Sequence, residues 1–158
     1  MPEHPDLVRL RSEYANRRAR FDSSDLYSVF NPSYLFTCLQ RQRSLVRSLA
    51  KTGLRSLADR KILEVGCGSG HVLAEYLSLG AFPRHLFGID LLPDRLSEAS
   101  LRLPGSGISC ADGQYLPFPG RSFDLILQYT AFSSILDKGI KAQIAAEILR
   151  LLRADGFI

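Results

Sequence analysis

Ten residues, Lys61–Gly70 (KILEVGCGSG), constrain this chain most. Ile62, Leu63 and Val65 form an apolar run that breaks into glycine at every second position, Gly66, Gly68 and Gly70. A helical pattern, VLAEYLSL, follows at once. Branched residues, a glycine loop and helix periodicity in that order predict the first βα unit of a nucleotide-binding α/β sheet. Glycine is needed there because the backbone turns sharply and a ligand approaches it with no Cβ in the way. The competing reading of the glycines alone is an ordinary strand-to-helix loop, and the downstream sequence argues against it.

From Lys61 onward the pattern alternates. Apolar runs predict strands over Lys61–Val65, His85–Asp90, Gly107–Cys110 and Phe123–Gln128. Helical periodicity predicts helices over Val72–Leu79, Asp94–Leu101 and Gly139–Leu152, the last with Ile140, Ile144, Ile148 and Leu151 on one stripe. Such alternation implies parallel strands joined by helical crossovers. The front of the chain reads differently. Asn31 as N-cap, Pro32 at the first helical position and Gly53 as a stop frame a helix over 31–53. Its stripe of Leu35, Leu39, Val46 and Leu49 predicts a helix laid on the sheet, with Arg43, Arg47 and Lys51 along its outer edge. Arg11–Arg20 is a short basic helix, and the FDSSDLYSVFNP segment between the two is turn-rich. The expected division is a helical cap over residues 1–57 and an α/β core over 58–158.

Composition excludes several classes. No apolar run approaches the ~18 residues that a membrane helix needs. The first residues, MPEHPDLVRLRSEY, lack the apolar stretch of a signal peptide. Cys38, Cys67 and Cys110 form no CxxC pair and no metal-like grouping with the three histidines, so an odd, scattered set predicts reduced thiols in a cytoplasm. Residues 1–60 carry eleven of the twenty basic residues against six acids, although the whole chain is only +4. A basic front end suits an anionic substrate, a phosphate-rich polymer, a membrane surface or a solvated helical face.

Asp90 closes the second strand (LFGID), about twenty positions after the glycine loop. A carboxylate at that point accepts from both ribose hydroxyls of a nucleoside lying across the strand ends. Its alternative use, opening the next helix, is one that Asp94 also offers. Two ligands share this geometry, a nicotinamide dinucleotide and S-adenosylmethionine. The dinucleotide fingerprint needs a small residue where this chain has His71, its glycine falling one place earlier at Gly70. Glu64 is a second objection, because a carboxylate near the end of the first strand repels a pyrophosphate and attracts an ammonium.

With these residues in place, the chain resembles the class I S-adenosylmethionine-dependent methyltransferases. ILEVGCGSG is similar to their first motif and LFGIDLLPDRL to their acidic second one. CADGQYLPFPGRSFDLIL resembles the run spanning their third and fourth strands, and EILRLLRADGFI the helix and turn leading to the fifth. Four motifs in order cover about 100 of the 158 residues, from Ala58 to Ile158. The resemblance implies a Rossmann-like, doubly wound, mostly parallel sheet and S-adenosylmethionine as co-substrate. It places Glu64 near the cofactor ammonium and lets the backbone at Gly66 and Gly68 pass close to the methionine part. It sets Asp90 on the ribose, Leu91 on the adenine face, Asp112 on the adenine amino group and the Gly113 amide beside the ring. Gln128 approaches the methionine end, whereas Asp124 has a structural role.

The resemblance also implies a small-molecule or glycan acceptor, docked by Tyr129, Thr130, Ser133 and Ser134 after the fourth strand. Tyr14, Arg17 and Arg18 become lid residues. No residue stands out as a general base; His71 reads as an exposed first-turn residue. Ala154-Asp155-Gly156 replaces the family's usual Pro-Gly-Gly, and the fifth strand is expected to begin only at Phe157–Ile158. The fourth strand would then be an open, apolar edge prone to self-association. Three further readings stand beside catalysis: a non-catalytic cofactor-binding module, a nicotinamide-dependent oxidoreductase and a nucleic-acid methyltransferase. The last finds no strong support, for the basic segment lacks interleaved aromatics at base-stacking spacing and no Asn-Pro-Pro-aromatic tetrapeptide follows the fourth strand.

Overall fold

The computed structural model describes residues 4–21, 26 and 28–158, with the side chains of 18–21 excluded. The side chain of Arg18 and residues 22–25 and 27 of the turn-rich segment therefore lie outside what is described. The chain divides into two compact units, Met1–Arg55 and Ser56–Ile158.

The first unit holds two helices. Helix α1, Pro5–Phe21, is longer than the basic stretch that signalled it, and Asp6 in its first turn pairs with Arg9 at 2.7 Å. Helix α2, Pro32–Lys51, starts as its sequence dictates: the Asn31 side chain accepts from the N–H groups of Ser33 and Tyr34 at 3.0 and 3.4 Å. Gly53, at φ +77°, follows its C-terminal Thr52. One expectation fails here. No residue of α2 is buried, so the stripe of Leu35, Leu39, Val46 and Leu49 is not packed away.

The second unit is a five-stranded parallel sheet in the order β3-β2-β1-β4-β5. Its strands are β1 (Ile62–Val65), β2 (Leu86–Asp90), β3 (Gly107–Cys110), β4 (Phe123–Leu127) and β5 (Leu152–Phe157). Helices α3 (His71–Ser78), α4 (Pro93–Arg102), α5 (Ala131–Ser134) and α6 (Lys138–Leu151) lie between them in sequence. Strand β1 is central and buried throughout, because Ile62, Leu63 and Val65 meet apolar neighbours on both faces. Helix α6 buries the predicted stripe of Ile140, Ile144, Ile148 and Leu151. Gly107 is fixed by its neighbour in β2, since a Cβ there would lie 2.6 Å from the Phe87 ring.

Strand β5 corrects the sequence reading. It begins at Leu152 and pairs in parallel with β4, Phe123 opposite Leu152 and Leu125 opposite Phe157, with an irregularity between. Strand β4 is therefore an inner strand, and β3 and β5 are the outermost of the described strands. Asp124, assigned a structural role, fills it at this junction. Its carboxylate accepts from the Lys61 N–H at 2.8 Å, from Arg60 at 3.2 Å and from Arg153 of β5 at 2.9 Å. Burial alone would raise its pKa, but these donors hold it below the ordinary carboxylate range. Glu147 and Arg150 make a second brace. Glu147 accepts from the Leu116 N–H at 2.8 Å, and Arg150 donates to the carbonyls of Phe118 and Leu116 at 2.9 and 3.0 Å, pinning the loop before β4.

Candidate functional site

The strand order places β2 on one side of β1 and β4 on the other, so the chain reverses direction across the sheet beside β1. In open α/β sheets the crevice beyond the carboxyl ends of the strands at such a point is where ligands bind. The residues expected at the site gather there. Glu64 is the penultimate residue of β1, the glycine loop follows β1, Asp90 ends β2, Asp112 follows β3 and Gln128 follows β4.

All three loop glycines have positive φ: Gly66 at +80°, Gly68 at +53° and Gly70 at +75°. Each is also close to a neighbour. A Cβ on Gly66 would meet Ala131 Cβ at 2.8 Å, and one on Gly70 would press on Leu103 and Ala99 of the α4 region at 3.0 and 3.2 Å. A Cβ on Gly68 would run into the guanidinium of Arg95. The loop is tied to the neighbouring strand by the N–H groups of Gly66 and Cys67, which donate to the Ile89 carbonyl at 2.8 and 2.9 Å. Asp90 adds the decisive tie. Its Oδ2 accepts from the Gly68 N–H at 2.8 Å and its Oδ1 from the Leu92 N–H at 3.0 Å. Position Leu92 opens α4 with no side-chain cap, and Asp94 lies in the first turn, so Asp90 shapes the start of that helix as well.

A carboxylate offers about four acceptor positions, and these two bonds leave capacity on Asp90 for further donors. The same holds at Asp112. Its Oδ1 accepts from the Gln114 backbone N–H at 2.9 Å, and Oδ2 from the Gln114 side-chain amide at 3.0 Å. Gly113 is buried against Val65 and Ile144, where a Cβ would lie 3.5 and 3.3 Å from their side chains. Leu91 is half-buried beside Asp90. Gln128 turns its amide oxygen to the N–H groups of Ala131 and Phe132, at 2.9 and 2.5 Å, an orientation assigned from those donors. It thereby ties the end of β4 to the start of α5.

The crevice is electronegative. Glu64 is 2 % exposed. Burial, followed by the charges of Glu64 and Asp90, pushes the Cys67 thiol well above its ordinary pKa, and burial and Glu64 do the same to the Tyr76 hydroxyl. Arg95, which works in the opposite direction on Cys67, is the residue that the sequence did not single out. It lies over Gly68 because α4 folds back along the loop, and Arg102, two turns further on, donates to the Ser69 carbonyl. Its only signal in the sequence was a position one turn after Asp90. His71 is exposed and stands 3.2 Å from the Ser69 hydroxyl. Tyr129, Thr130, Ser133 and Ser134 fall at the end of β4 and on α5, with Thr130 at φ +64°. Among the described residues, no group of three or more His, Cys, Asp or Glu side chains could hold a metal ion.

Comparison with known proteins identifies the family. The family profile described as "Methyltransferase domain" matches residues 63–158. A phthiotriol/phenolphthiotriol dimycocerosates methyltransferase of Mycobacterium leprae is 32 % identical over 111 residues, which are 65 % of this chain and 37 % of the relative. A fatty-acid O-methyltransferase of Mycolicibacterium smegmatis is 32 % identical over 106 residues, 62 % of this chain and 35 % of the relative. The chain thus spans little more than a third of the length of these curated relatives. Among solved structures, a TehB-like SAM-dependent methyltransferase from Corynebacterium glutamicum superposes with a TM-score of 0.57 at 25 % identity, covering 80 % of this chain and 71 % of that one. SAM-bound CalS10, an amino pentose methyltransferase from Micromonospora echinaspora, gives 0.56 at 25 % identity, covering 75 % and 51 %.

Proposed function

The chain belongs to the class I S-adenosylmethionine-dependent methyltransferases, whose co-substrate is S-adenosylmethionine, and from that premise we propose that it serves methyl transfer to an oxygen of an apolar small molecule. The observation that carries the cofactor half is Asp90. Its carboxylate is held at the end of β2 by the Gly68 and Leu92 N–H groups, with acceptor capacity left for ribose hydroxyls. The residues fit that ligand in charge as well as shape. A buried Glu64 and a fixed Asp90 favour a nucleoside bearing positive charge over one bearing a pyrophosphate.

In this reading Glu64 attracts the ammonium, and the bare backbone at Gly66 and Gly68 admits the methionine part. Asp90 orients the ribose, Leu91 covers the adenine, and Asp112 with the Gly113 amide reads its edge. Gln128 donates from Nε2 toward the methionine end. The bound co-substrate supplies an activated methyl group on its sulfonium. The protein's contribution is then proximity and orientation, since an in-line displacement needs little else. The acceptor class rests on the relatives, which are named for phthiotriol/phenolphthiotriol dimycocerosates and for fatty acids. Tyr129, Thr130, Ser133 and Ser134 are the polar groups proposed to orient the acceptor, and no general base is assigned among them.

Titration calorimetry with S-adenosylhomocysteine tests the cofactor half, and binding is expected with no heat from NAD. Incubation with methyl-labelled S-adenosylmethionine and a set of fatty acids, long-chain alcohols and sugars tests the acceptor. Label is expected in the lipids. Absence of S-adenosylhomocysteine binding would overturn the whole reading, and label in the sugars alone would overturn the acceptor class.

A further inference from the structure

We propose that α2 is an interfacial helix that lays one face of the chain on an anionic lipid surface. Residues 26–58 contain no Asp or Glu and five basic residues, Arg41, Arg43, Arg47, Lys51 and Arg55. Within α2, Leu35, Phe36, Leu39 and Val46 recur at helical spacing and are 41, 62, 54 and 48 % exposed. Isolated exposed apolar residues need no explanation, but a stripe of them along three turns does. Arg43, Arg47 and Lys51 follow one another at i, i+4 steps beside that stripe and are exposed too. The stripe continues into the turn before the helix, where Val29 is 59 % and Phe30 92 % exposed. No described helix is long and apolar enough to cross a membrane. A cationic face with aliphatic and aromatic residues at its centre matches the boundary between lipid headgroups and acyl chains instead.

Charge chooses between the partners for such a face. A second copy of this chain would bring Arg43, Arg47 and Lys51 against their own counterparts, which repels. A nucleic acid would satisfy the cations and find a ring at Phe36, but the aliphatic Leu35, Leu39 and Val46 that make up most of the stripe gain nothing from phosphates or bases. An anionic lipid surface satisfies both halves. Each basic residue near such a surface contributes roughly a five-fold gain in partitioning, and the apolar stripe adds its own burial. This inference stands apart from the methyl-transfer reading, and its test does not use the cofactor site.

The test is flotation of the full chain with phosphatidylglycerol–phosphatidylcholine vesicles and, in parallel, with phosphatidylcholine alone. We expect the chain to float with the anionic vesicles and to remain at the bottom with the neutral ones, and the binding to fall as salt rises. Arg43→Glu with Arg47→Glu should reduce partitioning on the order of 100-fold or more. Phe36→Glu with Leu39→Glu should abolish it. Circular dichroism checks that each pair folds, and the milder Arg43→Gln with Arg47→Gln should give an intermediate loss. Failure of the wild-type chain to float with anionic vesicles overturns the proposal. So does equal flotation of the charge-reversed pair, salt-sensitive binding to RNA without any to vesicles, or a dimer dispersed by Phe36→Glu/Leu39→Glu in a chain that ignores lipid.

Discussion

Asp90 couples the shape of the glycine loop to the proposed ribose contact, because one carboxylate holds the Gly68 N–H and faces the crevice. Replacing it with alanine removes charge-assisted bonds on both sides. We expect Asp90→Ala to weaken S-adenosylhomocysteine binding by ~1.5–3 kcal/mol, measured by calorimetry. Equal affinity in wild type and variant would remove Asp90 from the ribose. Gly68→Val is expected to abolish binding altogether, since φ +53° is strained for a branched residue and its Cβ would collide with Arg95. Retained binding in that variant would show that the ligand does not approach the loop there. These residues were legible in the sequence because strand, loop and acid are close along the chain. Arg95 was not, as its place over Gly68 depends on how α4 packs back against the loop, a tertiary relation that no local spacing encodes. The capping use of Gln128 was hidden for the same reason: the helix it starts, α5, is only four residues long.

At the scale of elements, β4 and β5 are locked by Asp124, which is 6 % exposed and ties Lys61, Arg60 and Arg153 together. Asp124→Ala leaves the part-buried Lys61 N–H and two half-exposed guanidinium groups without their acceptor. The expected cost is about 1–3 kcal/mol, or a fall of roughly 3–10 °C in Tm, read from thermal unfolding. The pH dependence has a definite sign. The folded-state pKa of Asp124 is depressed, so its contribution is fully present above the ordinary carboxylate value near ~3.9 and is lost as pH falls through the lower folded value. Urea midpoints measured from pH 5 downward should therefore drop more steeply in the wild type than in Asp124→Ala; parallel slopes would show that another group dominates. Strands β1 to β4 were legible as apolar runs between turn residues. Strand β5 was not, because LRADGF is polar, contains Asp-Gly and leaves three of its six residues exposed. It is a strand because β4 offers a row of hydrogen-bonding groups, a non-local cause. In α2 the periodicity was legible but its burial was not, since an apolar stripe states what a helix can cover and leaves the covering surface undetermined.

For the Ser56–Ile158 unit as a whole, the sheet order makes β5 the guard of the site at one remove. Strand β1 carries the glycine loop, β4 is its neighbour on one side, and β5 pairs with β4 on its far side. Strands β5 and β4 differ in character. Strand β5 presents Arg153 and Asp155 among its exposed residues, and such charges discourage pairing with another chain. Strand β4 reads Phe-Asp-Leu-Ile-Leu, with four of its five residues buried, and has no such protection. Removing residues 152–158 would turn β4 into the edge, strip Arg153 from Asp124 and free the ladder groups that pair with β5. We expect the shortened chain to unfold at lower urea, to form soluble oligomers or precipitate in light scattering, and to lose S-adenosylhomocysteine affinity along with stability, because β1 and its loop are held through β4. The 1–158 chain under the same conditions should scatter as a smaller species. If the shortened chain matches it in both urea midpoint and scattering mass, then β5 is dispensable and the loop is held by β2 and the α4 contacts alone.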